Sequence, residues 1–183
     1  LWDCIKLFNK QLIKEFDAIN TLKHEEKPDK YTLGLIERIK SVDYSDRAFS
    51  DFEKGTIGHD DLIVLSQRMF ENYELLTSIV ASKYPYLFVD EYQDTAPEII
   101  NAFLDFLLPR NEQKIILGFY GDSHQKIYNS GIGSLKQYVD LKRIDLINKI
   151  ENYRSCQELI YSIIYGQISN KRFQRELKRK KVV

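Results

Sequence analysis

Asp90-Glu91-Tyr92-Gln93-Asp94 is the part of this sequence best equipped for chemistry. Two acids follow directly on the apolar run Tyr84–Val89, where a buried strand would end and ligands of an open parallel sheet would bind. Adjacent carboxylates there can divide a task. One can hold Mg²⁺, which takes few carboxylates and fills its shell with water and substrate phosphate oxygens. The other can orient and deprotonate an attacking water. A bare Asp-Glu pair also has a plain reading, a solvated loop after a strand.

A second segment, Gly121-Asp122-Ser123-His124-Gln125-Lys126-Ile127-Tyr128, follows another apolar run, Lys114–Tyr120. Gln125 could bond a phosphate or a lytic water, and Tyr128 offers a flat face for base stacking, worth about 1–3 kcal/mol per base. Taken singly, Gly-Asp is turn chemistry, Tyr128 suits a core as well as a platform, and His124 is a polar loop residue. A third segment, Asn152-Tyr153-Arg154-Ser155, places an arginine fork at a helix start, where it could match phosphate oxygens. Alternatively, an arginine beside a cap simply meets solvent.

These groups need a scaffold. The two apolar runs read as parallel strands buried on both faces. Between them Thr95 is expected to cap a helix with Pro97 in its first turn and Ile99, Ile100, Phe103 and Phe106 facing inward. A third strand is expected near Arg143–Ile147, and Ser155 with Glu158 makes a capping box for a following helix. Upstream, Trp2, Ile5, Phe8, Leu12, Ile13, Phe16 and Ile19 share one face of a long helix. Pro28 breaks it, Leu35, Ile36 and Ile39 repeat the spacing, and residues 41–58 read as loop. His59, Asp60 and Asp61 open a helix whose stripe runs through Leu62, Leu65, Met69, Phe70, Leu75, Leu76, Ile79 and Val80. Three segments result: a helical lobe over 1–82, an α/β parallel-sheet segment over 83–170, and a basic tail over 171–183, whose KRFQRELKRKK stretch has seven basic residues against one Glu.

Composition narrows the classes. Lys plus Arg number 27 and so do Asp plus Glu, so the 183-residue chain is neutral and no histone-like binder. Apolar residues at 43% suffice for a core. No apolar run approaches the roughly 18 residues of a membrane span, and Cys4 and Cys156 form no disulfide framework. A soluble, reduced, cytoplasmic protein without membrane partners is the expectation. The first residue, Leu1, suggests an interior piece of a longer chain.

VDEYQDT, GDSHQKIY and NYRS, in that order, resemble motifs II, III and IV of the UvrD/Rep-like superfamily 1 DNA helicases. GHDDLIVLSQRMF resembles the helix that enters this region, and the likeness covers residues 57–165. It implies a partial RecA-like P-loop NTPase core, with ATP and Mg²⁺ as cofactors and single-stranded or partly duplex DNA as partner. By the resemblance Asp90 coordinates Mg²⁺ and Glu91 activates water. Gln93 and Asp94 link the nucleotide site to the DNA site, with Gln93 counted among the cofactor-binding residues. Gln125 senses the γ-phosphate, Arg154 reaches it, and Tyr128 contacts single-stranded DNA. Family members translocate on single strands, generally 3′ to 5′. The chain departs in two places. None of its eight glycines is followed by Lys, so the GxxxxGK[ST] phosphate loop is missing, as is a further motor domain; both would lie in a parent chain. Asn129-Ser130-Gly131-Ile132-Gly133 replaces the family's Trp-Arg-Gly run, leaving duplex unwinding and a second aromatic DNA contact without support. The competing readings are a non-enzymatic DNA- or protein-binding module on a degenerate scaffold and a carboxylate-metal nuclease using Asp90, Glu91 and Asp122.

Overall fold

A computed structural model describes residues 1–47 and 49–148 of the chain. Leu1–Arg143 form one compact unit. It opens on helices α1 (Trp2–Lys6) and α2 (Asn9–Glu26). The long helix expected from Trp2 to Ile19 is thus two helices. Phe8 leaves the helical region (φ −99°, ψ 45°), and the kink buries Cys4 and Ile5 together with Leu12, Ile13, Phe16 and Ile19 while leaving Leu7 exposed. Leu35–Glu37 make only a single 3₁₀ turn where the spacing suggested more helix. The expected loop over 41–58 contains a two-residue parallel pair, β1 (Asp43–Tyr44) with β2 (Thr56–Ile57).

Helix α3 (His59–Asn72) starts where the sequence placed it, with Asp60 and Asp61 in its first turn. The Ser50 hydroxyl accepts from the Gly58 N–H and donates to Asp61, which also pairs with Lys23 at 2.9 Å. The chain breaks at Tyr73 before α4 (Glu74–Lys83). One cluster, including Phe16, Leu65, Met69, Phe70, Leu76, Val80, Phe103 and Leu107, joins these helices to the segment that follows.

A buried carboxylate ties the lobe together. Glu15, 3% exposed, accepts from Arg68 Nε at 2.8 Å and from the Tyr73 hydroxyl at 2.9 Å. Burial first, and the bond to Glu15 second, push the Tyr73 hydroxyl up to about 12. Its folded-state value exceeds the ordinary one near 10, so the stabilisation is complete below pH 10 and lost as pH rises toward 12. Chemical denaturation between pH 9 and about 12 should show a steeper fall in the native protein than in Tyr73→Phe, which retains the raised Tyr138 and Lys23.

Strands β3 (Tyr86–Val89) and β4 (Ile116–Phe119) pair in parallel, with Tyr86 opposite Ile116 and Val89 opposite Phe119. The intervening helix is α5 (Pro97–Asn101), then a π-helical stretch Ala102–Leu107, then α6 (Leu108–Arg110). Pro109 has no N–H for the Asp105 carbonyl, and the widened turn frees the Leu104 carbonyl to accept from Arg143. The expected Thr95 cap is not made. Thr95 donates its N–H to the Tyr92 carbonyl and accepts the Ile132 N–H on its own carbonyl, and the helix starts one residue later, behind Ala96.

The sheet differs from expectation on one face. Leu87, Val89, Leu117 and Phe119 pack against the core, whereas Tyr86, Phe88, Ile116 and Tyr120 are each more than half exposed. No strand forms at Arg143–Ile147. Helix α7 (Lys136–Asp140) closes with Lys142 left-handed (φ 55°) and the Arg143 N–H on the Tyr138 carbonyl, so helix closure uses the backbone a strand would need.

Candidate functional site at the ends of two parallel strands

Because β3 and β4 run parallel and in register, Asp90-Glu91 and Gly121-Asp122 leave the sheet side by side. The ladder continues past the strands: Tyr120 donates its N–H to Val89 and accepts from the Tyr92 N–H. The chain then turns sharply. Glu91 takes the left-handed conformation (φ 49°, ψ 46°), and Tyr92–Asp94 form a 3₁₀ turn. A non-glycine residue in that conformation costs about 1–2 kcal/mol. Here it lifts the Glu91 carboxylate into solvent beside Asp90.

Asp90 is exposed and accepts the Glu91 N–H on Oδ1 at 3.0 Å. Its second oxygen remains available, which fits an ion that takes one carboxylate and completes its shell with water and phosphate. Among the described residues no three acids, histidines or cysteines gather as a metal-binding group, so Asp90, Glu91 and Asp122 do not assemble a nuclease-type carboxylate centre.

Gln93, 1% exposed, sits beneath this surface. Its Nε2 donates to Glu91 Oε2 at 2.6 Å, and its Oε1 accepts the Asp122 N–H at 3.1 Å. Asp94 faces the other loop, where Oδ1 accepts the N–H groups of Ile127 at 2.9 Å and Tyr128 at 3.0 Å. Asp122 shapes the loop from within, taking the His124 N–H on Oδ1 and Gln125 Nε2 on Oδ2. Gln125, Lys126, Ile127 and Tyr128 are all exposed. Asp90, Glu91, Gln93, Asp94, Gln125 and Tyr128 therefore share one edge of the sheet. Arg154, with Asn152, Tyr153 and Ser155, lies outside the described residues, as do Glu158 and the basic tail.

Three glycines join the set without having been singled out as site residues. Gly133 donates its N–H to the Gln93 carbonyl, and a Cβ on Gly131 would lie 2.3 Å from the same oxygen. A Cβ on Gly121 (φ +156°) would lie 2.2 Å from Gln93 Oε1. Glycine is what permits these close approaches. The departure at Gly131-Ile132-Gly133 is thus a seam, with Ile132 bonded to Thr95 between its two glycines.

The model of the UvrD/REP helicase N-terminal domain matches residues 5–143, covering the helical lobe and both loops. The chain belongs to this family. It is 38% identical over 126 residues to the Gabija protein GajB of Bacillus cereus (strain HuB5-5), covering 66% of this chain and 18% of that protein. It is 26% identical over 148 residues to the ATP-dependent DNA helicase PcrA of Bacillus subtilis (strain 168), covering 78% of this chain and 19% of that one. A third relative, the RecBCD enzyme subunit RecB of Buchnera aphidicola, is 29% identical over 101 residues, 55% of this chain and 8% of RecB. The chain thus spans less than a fifth of the length of these three relatives.

Within this UvrD/REP-type domain Asp94 is the clearest joint. The N–H of Tyr128, then that of Ile127, hold its carboxyl below the usual carboxylate range. A depressed folded value means that the anchor is intact above the ordinary carboxylate pKa and is lost as pH falls through the lowered one. Amide-exchange protection factors at Ile127 and Tyr128, taken against the intrinsic rate at each pH, should stay high through pH 5 and fall in stronger acid. In Asp94→Ala both amides should show low protection factors at every pH; protection equal to the native protein's would remove Asp94 as the anchor. No helix among the described residues is long and apolar enough to cross a membrane.

Proposed function

We propose that this chain is part of an ATP-driven motor that moves along single-stranded DNA. In this reading β3 and β4 belong to a RecA-like sheet, and other segments of the motor pack on the exposed face of Tyr86, Phe88, Ile116 and Tyr120. The observation that carries it is the seam between the acidic turn and the loop bearing Gln125 and Tyr128. Those two carry the chemistry a motor must couple, and Asp94 bonds them directly.

Asp90 would hold Mg²⁺, which when bound neutralises phosphate charge. Glu91 orients a water and takes its proton as the water oxygen attacks the γ-phosphorus and the bond to the ADP oxygen breaks. Gln125 would sense the γ-phosphate, and the loop that carries Tyr128, the residue for a base, would feel its departure. Arg154 supplies positive charge to the same phosphate. This deepens what the name of a relative such as PcrA, an ATP-dependent DNA helicase, suggests for the family.

The deciding experiment is ATP hydrolysis by the full-length protein with and without single-stranded DNA, before and after chelation of Mg²⁺. Turnover that requires Mg²⁺ and rises with single-stranded DNA is expected. DNA binding with no turnover under any condition would establish the non-enzymatic module instead.

A further inference from the structure

We propose that Gln93 is a positioning residue that fixes the Glu91 carboxylate and does not touch nucleotide. The inference rests on the role of Glu91 in the proposed reaction and departs from the expectation that Gln93 binds the cofactor. Its side chain is 1% exposed, and both ends of its carboxamide are engaged within the protein. The Asp122 N–H can only donate, so it selects Oε1 of Gln93 as its acceptor. That choice turns Nε2 toward Glu91, where it donates at 2.6 Å to one carboxylate oxygen. The reverse orientation would set donor against donor and oxygen against oxygen. The carboxamide thus carries a directional signal from the start of the Gln125 loop to the acid, and leaves the other Glu91 oxygen free for a water.

Two neighbours fit that role. Gly121 has no side chain where a Cβ would strike Gln93 Oε1, so the Asp122 N–H can reach it. The Gln93 carbonyl is also held, by the Gly133 N–H. The backbone of Gln93 is fixed by one loop segment and its side chain by another, as a rigid support requires.

The test uses Gln93→Met, which keeps the volume and loses both bonds, and Gln93→Glu, which keeps an acceptor for Asp122 but sets a buried carboxyl against Glu91, so that the two share a proton and Glu91 is lost as a free base. Both are made in the full-length protein alongside Glu91→Gln. Expected is a fall in kcat of about 10–100-fold in each Gln93 variant, the scale of a misplaced catalytic group. KM for ATP and the Kd of a fluorescent ADP analogue should stay within about threefold. Gln93→Met added to Glu91→Gln should lower kcat no further, because the group it positions is already gone. Loss of nucleotide affinity matching the loss of kcat would overturn the proposal by making Gln93 a nucleotide contact. So would native kcat in either Gln93 variant while Glu91→Gln is inactive. Native turnover in Glu91→Gln itself would remove the base assignment, and the positioning role with it. If Gln93→Met does not fold, the isosteric Gln93→Glu alone decides by the same criteria.

Discussion

Glu91→Gln in the full-length protein should reduce ATP turnover by about 10²–10⁴-fold, the range over which a positioned general base contributes. Nucleotide affinity should hold within about threefold, because the base acts on water and binding rests on other groups. The substitution suits the site unusually well. A glutamine at 91 can still offer an oxygen to Gln93 Nε2, so the bond that orients the side chain persists while the proton acceptor is lost. The 3₁₀ turn behind it depends on backbone bonds, such as Asp94 N–H to the Glu91 carbonyl, and these are untouched. Single-turnover hydrolysis and equilibrium binding of a fluorescent ADP analogue make the comparison. Equal loss of both would mean that Glu91 holds nucleotide, and normal turnover would move the base elsewhere.

Gly131→Ala should separate the two loops with no change of charge. The added carbon would lie 2.3 Å from the Gln93 carbonyl oxygen, 2.6 Å from Asp94 Cα and 2.9 Å from the Asp94 carbonyl carbon. All three are backbone atoms, so no rotamer change relieves the clash and the strands of chain must part. Overpacking of this kind costs about 1–3 kcal/mol. The bonds nearest the clash then lengthen first: Gly133 to Gln93, Ile132 to Thr95, and the two amides on Asp94. A lower Tm should accompany loss of stimulation by single-stranded DNA, with basal hydrolysis less affected. Unchanged Tm and unchanged stimulation together would show that the loops do not need this contact.

The strand ends were readable because a buried parallel strand stops abruptly in charge, as Val89-Asp90 and Tyr120-Gly121-Asp122 do. The start of α3 was readable from its first-turn acids, and the end of α2 from Pro28. What escaped depends on contacts far apart in the chain. The kink at Phe8 leaves helical periodicity nearly intact, and only packing on α3 and α4 reveals where it falls. The π-helical stretch reflects Pro109 together with Arg143, 34 positions apart by number, and no local window contains both. Gly131 and Gly133 looked like a lapse from a family pattern, since their partners are the backbone of Gln93 and Asp94. The one-sided cover of β3 and β4 was unreadable because an apolar strand looks the same whichever partner buries it. Of the candidate site, Asp90, Glu91, Gln125 and Tyr128 stand out in the sequence by residue type, whereas the bonds Gln93 makes show only in the structure.

The left-handed turn at Glu91 sets heat resistance against chemistry. Glycine adopts that conformation freely and asparagine more readily than glutamate, so Glu91→Gly relieves local strain while deleting the acid. A directed-evolution screen that scores only survival after heating would enrich for any such change whose strain relief exceeds the cost of leaving Gln93 Nε2 without its acceptor, and present it as an improvement. Folded yield and melting temperature are therefore the wrong currency for judging variants of this turn, and a library built around it needs a turnover gate from its first round.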